Sequence, residues 1–129
     1  MMNDFDISDI EKEFADAVRA LSVSQHVWNN RPKATDDGIA DFVVVRVAGG
    51  ISDESAYGSC RVLVTLFARD VKEMKNSKKL SVMQKKLESL PLDLTHLVIS
   101  KYPRIVGDTA DDFGFHARTL NFKTIIKIA

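Results

Sequence analysis

Two stretches decide the fold of this chain: DFVVVRVA at residues 41–48 and SCRVLVTLFA at residues 59–68. Both are rich in β-branched residues and close to continuous in apolar character. A strand central in a sheet, or covered on both faces, has that composition. Between them lies AGGISDESAYG at 48–58, a turn-rich connection with Gly49, Gly50 and Gly58 near its ends. Two such strands joined by such a connection predict a long β-hairpin, and hairpin connections imply antiparallel pairing.

THLVISK at 95–101 and FHARTLNFKTIIKI at 115–128 predict a second long hairpin, with residues 103–114 as its loop. In the last strand His116, Arg118, Leu120, Phe122, Thr124, Ile126 and Ile128 share one face, by the two-residue period of a strand. Toward the N-terminus, Ile7, Ile10, Phe14, Ala17, Val18 and Leu21 make the apolar stripe of an amphipathic helix over about 7–22. Asp6 or Ser8 is its expected N-cap, and Ser8 and Glu11 have capping-box spacing. Residues 26–28 form a short strand that ends at Asn29, Asn30, Arg31 and Pro32, because proline lacks an N–H and restricts the residue before it. Leu80, Met83, Leu87 and Leu90 mark a second amphipathic helix, with Ser77 as N-cap and Pro91 as its stop. The expected class is α+β: an antiparallel sheet of four or more strands built from two long hairpins, with two amphipathic helices packed on it. At 129 residues the expectation is one domain, 1–129.

The composition narrows the function classes. Eighteen Lys and Arg balance eighteen Asp and Glu, so a protein that coats nucleic acid over its whole surface is disfavoured. Cys60 is the single cysteine, which excludes an intramolecular disulfide and points to a reducing compartment. The start, MMNDFD, is acidic and has no basic flank before an apolar run, so no secretory signal is expected. The longest stretch without Asp, Glu, Lys or Arg is eleven residues, 20–30, too short to span a membrane.

Catalytic and metal-binding patterns are thin. Asp108, Asp111 and Asp112 bring three carboxylates into one predicted loop, but their spacing fits no calcium-loop pattern, and a solvated hairpin tip accounts for them. His26, His96 and His116 sit on separate elements with no His-x-x-x-His pair. Cys60 lies in an apolar strand, where a structural thiol is the ordinary reading. Gly49 and Gly50 follow a strand without a P-loop Lys-Ser/Thr or dinucleotide glycine spacing, so a hairpin turn explains them. No catalytic residue, cofactor site or metal site is assigned.

Charge is segregated along the chain. Residues 69–88 hold seven bases and three acids, net +4; residues 1–20 hold six acids and two bases, net −4; residues 36–57 hold five acids and one base, again −4. A solvated helix face explains the basic segment without a partner. Opposite charge on separate patches also suits head-to-tail association of copies, which closes into a ring when the rotation allows. The candidate interface residues are Asp9, Glu13, Asp16, Asp53 and Glu54 on the acidic side, Lys72, Lys75, Lys78 and Lys79 on the basic side, and Asp108, Asp111 and Asp112 in the loop. The competing reading is a small cytosolic protein that uses the segment from Arg69 to Lys86 on nucleic acid or an acidic partner. The absence of an interleaved aromatic argues against single-strand stacking there.

Trp28, Asn29, Asn30, Arg31, Pro32 and Lys33, followed by Asp41 to Val45, a glycine-rich connection and Val62 to Asp70, resemble the small tail-terminator and tail-completion (head–tail joining) proteins of long-tailed bacteriophages. The element order agrees from about residue 7 to 129. The strongly basic stretch before the second helix departs from that pattern. The resemblance implies a structural, non-enzymatic protein without a cofactor, encoded by a phage or prophage. It would form a homo-oligomeric ring, often a hexamer, that caps the tail tube and faces the head connector. Sheet and hairpin edges would build the ring contacts, and DNA would pass through the lumen without sequence readout. Assembly in the bacterial cytoplasm and a place in the virion tail, with no membrane partner, follow from the same resemblance.

Overall fold

The computed structural model describes residues 6–29, 39–54, 57–72, 74–101, 103–110 and 114–127. The elements run α1 (Ile7–Ala20), β1 (Val27–Trp28), β2 (Asp41–Glu54), β3 (Tyr57–Arg69), α2 (Ser77–Leu87), β4 (Leu97–Ile99), β5 (Arg104–Ala110) and β6 (Phe115–Ile126). The class is α+β, as the hydrophobic patterning requires. Six strands form one mostly antiparallel sheet in the order β1-β2-β3-β6, and β4 and β5 share the other edge of β6 end to end.

The first hairpin is longer than its apolar runs. β2 and β3 stay paired from Asp41↔Ala68 to Glu54↔Tyr57, so most of the expected 48–58 connection is strand. Gly49 and Gly50 lie in a register shift between Ala48 and Ser52, where residues 49–51 oppose Cys60 alone; they serve a bulge, not the turn. β3 in turn pairs with β6 from Gly58↔Ile126 to Arg69↔Phe115, so this hairpin is built into the sheet rather than projecting from it.

The second hairpin has a different partner from the one expected. β5 comes from the stretch 103–114 read as loop, and it pairs with β6 from Arg104↔Asn121 to Ala110↔His116. The expected partner shrinks to the three residues of β4, held against the far end of β6 by Leu97↔Ile126. β5 is an edge strand, irregular between Ile105 and Gly107, and edge strands carry little periodic apolar signal. β1 pairs in parallel with β2 (Val27↔Val43, Trp28↔Val44), which makes the sheet mixed. That direction is open to it because a long connection, not a tight turn, joins the two strands.

Asp6 caps α1: its carboxylate accepts from the Asp9 N–H, and the Asp9 carboxylate accepts from the Asp6 N–H. The capping box is therefore Asp6–Asp9 rather than Ser8–Glu11. α1 ends at Ala20, and Ser22 beyond it takes a left-handed backbone with φ of 57°. Asn76, not Ser77, caps α2 by accepting from the Lys79 N–H.

Both helices cover the same face of the sheet. Ile10, Phe14, Ala15 and Val18 of α1 and Leu80, Met83 and Leu87 of α2 are buried against Val43, Val45, Val62, Val64, Leu66, Leu120, Phe122 and Ile126. Phe14 meets Phe122 edge-on at 5.3 Å between ring centroids. Each such large side chain contributes about 1.5–3 kcal/mol by leaving water. A second, smaller cluster lies on the opposite face, at one end of the sheet: Phe42, Val44, Phe67, Phe115 and Ala117, with Trp28 and Ile39 against it. Phe42 stacks on Phe67 at 4.3 Å and meets Phe115 edge-on at 5.1 Å. The start of β2 is thus covered on both faces, which explains its unbroken apolar run.

Candidate interaction surfaces

The acidic face of α1 spends its carboxylates inside the chain. Glu13 accepts from the His96 N–H at 2.9 Å and bonds its Nδ1 at 2.7 Å. Asp16 pairs with Lys12 at 2.9 Å and Arg19 at 2.7 Å. The Lys12 hydrogen bond leads in holding the Asp16 carboxyl below its usual 3.8. Glu11 accepts from the Val47 N–H at 2.9 Å, capping the outer edge of β2 past the end of β1. Asp9, Glu13 and Asp16 do come together, lining a groove of about 770 Å³ between α1 and residues 91–96.

The remaining candidates scatter. Asp53 and Glu54 stand at the far end of β2, where the backbone is described and the side chains are not. Lys72 occupies a tight turn closed by reciprocal Val71–Met74 hydrogen bonds, with φ of 52°. Lys79 pairs with Asp41 at 3.1 Å, Lys75 is also engaged, and Lys78 is exposed. Asp108 belongs to β5, opposite Arg118, so it is not at a hairpin tip; Asp111 and Asp112 lie outside the described residues. Among the described residues no group of three His, Cys, Asp or Glu side chains is placed to hold a metal ion.

Neither the thiol nor the histidines gather into a reactive centre. Cys60 is buried, and burial pushes its thiol from 9.0 up to about 11, which keeps it protonated at neutral pH. His116 bonds Asp70 at 2.6 Å, His96 bonds Glu13, and His26 packs beside Trp28. Among the described residues, no helix is long and apolar enough to cross a membrane.

Two surfaces escape a reading of the sequence. One is the sheet face turned away from the helices. Cross-strand register places Arg46, Leu63, Asn121 and Arg104 on one rung of that face. Arg61 and Lys123 share the next rung, and Thr65 and Thr119 the one before. The four cations are exposed; Leu63, Thr65, Thr119 and Asn121 are half-buried, and the two threonine hydroxyls bond each other at 3.1 Å. The other surface is the outer edge of β5. β1 and Glu11 cover the edge of β2, and residues 92–94 cover that of β4 through Leu94 N–H to Leu97 and Ile99 N–H to Leu92 bonds. Among the described residues β5 pairs only with β6, and Ile105 and Val106 on it are 51% and 50% exposed.

No family model and no curated protein sequence matches the chain. Solved structures share its fold. One superposes with a TM-score of 0.60 at 17% identity, covering 95% of this chain and 93% of its own. A chain from the virion of a native gene transfer agent (GTA) particle superposes with a TM-score of 0.59 at 9% identity, covering 91% of this chain and 93% of its own. The protein therefore has, nearly end to end, the fold of a chain of a gene transfer agent virion.

Proposed function

We propose that the protein is a structural component of a phage or prophage virion, and that copies of it form a ring that caps the tail tube and joins the tail to the head connector. The observation that carries this reading is the fold shared, over 91% of the chain, with a chain of a phage-like virion. The outer edge of β5, unpaired among the described residues, suits it. A heterologous contact made by such an edge repeats from copy to copy and closes when its rotation allows. The acids of α1 have partners within the chain, so the ring contact falls to backbone edges before charged patches. The competing reading, a binding protein using residues 69–86, is weakened because Arg69 donates to the Ile39 carbonyl and lies over the Phe115 ring, while Lys79 pairs with Asp41. Deleting the gene from the source phage or prophage tests the proposal. Tails of irregular length, or tails and filled heads left unjoined, are the expected result. Normal infectious virions from the deletion would overturn it.

A further inference from the structure

We propose that the uncovered face of the sheet binds the phosphate backbone of duplex nucleic acid without reading its sequence. The inference rests on that face alone and does not require the ring.

Arg46, Arg61, Arg104 and Lys123 come from four different strands, and the register sets them on two adjacent rungs of the same face. Neighbouring strands are about 4.8 Å apart, and successive residues on one face are about 6.7 Å apart. The four cations therefore cover a patch of about 14 by 7 Å. That length of duplex carries about eight phosphates. Among the described residues no ion pair engages any of the four, and no acidic side chain belongs to these rungs. Three are arginines, whose planar fork suits bidentate phosphate contact. The acids of α1 lie over the opposite face, so the neutral whole molecule still presents a cationic side.

The centre of the patch selects among anionic partners. Thr65, Thr119 and Asn121 lie among the cations, and the apolar side chains on these rungs are the buried Val44 and the half-buried Ala48 and Leu63. Hydroxyls and amides bond phosphate oxygens. A protein partner would call for an apolar or aromatic centre. Among the described residues, the aromatic rings of this face, Trp28, Phe42, Phe67 and Phe115, are packed on one another at the other end of the sheet. They offer no platform for the bases of a single strand, which leaves the duplex backbone as the fitting ligand.

Fluorescence anisotropy with a random-sequence 30-base-pair DNA duplex tests this between 25 and 200 mM salt. With four contacts at about −0.9 each, log K should fall against log salt with a slope near −3.6. Arg46→Gln, Arg61→Gln, Arg104→Gln and Lys123→Gln combined should remove the slope and weaken binding at least about 100-fold at 50 mM salt, with circular dichroism unchanged. Arg61→Gln with Lys123→Gln should halve the slope. Lys72→Gln, Lys78→Gln and Lys85→Gln combined should leave it intact. Sedimentation of the same samples separates this proposal from the ring: a quadruple variant that still self-associates but no longer binds duplex supports it. Absence of salt-dependent binding in the wild type would overturn it. So would binding that survives the quadruple change and fails in the lysine variant. A quadruple variant that loses only self-association would make the face a protein contact and overturn it as well.

Discussion

Cys60 shows how burial settles the role of a single residue. A thiol held at about 11 is neutral in the folded protein over the range where the unfolded thiol, near 9.0, has ionised. Because the folded value is raised, the contribution of Cys60 to stability is complete below pH 9 and is lost as pH rises from 9 to 11, at about 1.4 kcal/mol per unit. Denaturant unfolding of the wild type should therefore weaken more steeply over that range than unfolding of Cys60→Ala. At pH 8 a thiol reagent should modify the native protein only at the rate at which it opens. Asn121 presents the opposite case. Its Oδ1 is buried with no hydrogen-bond partner among the described residues. An unsatisfied buried acceptor costs about 1–3 kcal/mol, and valine suits a strand better, so Asn121→Val should raise the melting temperature by a few degrees. A lower melting temperature would mean that the amide has a partner in solution.

Helix ends and strand edges separate what the sequence shows from what it hides. α1 and α2 are legible because Phe14, Val18, Leu80, Met83 and Leu87 repeat at helical spacing and are all buried. β2 and β3 are legible because Phe42, Val44 and Phe67 are covered on the face away from the helices, which fills the alternate positions with apolar side chains. β5 is not legible: Gly107 and Asp108 interrupt it, and among the described residues it is paired along one edge only. The cationic rungs are hidden for a different reason. Arg46, Arg61, Arg104 and Lys123 are far apart in sequence and meet only through the register of four strands. Glu13 and His96 are likewise 83 residues apart, so a run of charge on α1 could be seen but not the partners that occupy it. The same level yields a prediction at the end of α1. Ser22 holds a left-handed backbone where glycine is the usual occupant, so Ser22→Gly should stabilise the protein by about 0.5–1 kcal/mol. Chemical denaturation measures it, and a loss of stability would mean that the serine side chain offsets its backbone strain.

At the scale of the whole molecule, salt should separate the proposed ring from the proposed duplex face. Contacts between charged patches weaken as ionic strength rises, because screening shortens the reach of exposed charges to about 8 Å at 0.15 M. The α1 acids that would serve such a contact already hold His96, Lys12, Arg19 and the cap of their own helix. The outer β5 edge, unpaired among the described residues, offers backbone hydrogen bonds and the half-exposed Ile105 and Val106 instead. An edge-to-edge contact of that kind gains from apolar burial and loses little to salt. Sedimentation of the wild type should thus show self-association that holds between 50 and 500 mM salt, across the range where duplex binding disappears. Ile105→Lys with Val106→Lys should reduce the protein to monomers, because lysines on an edge strand oppose strand addition. The same change should leave the melting temperature within a few degrees of wild type, since both side chains face solvent. Association that dissolves at 500 mM salt, or that survives the two lysines, would move the contact from the β5 edge back to the charged patches.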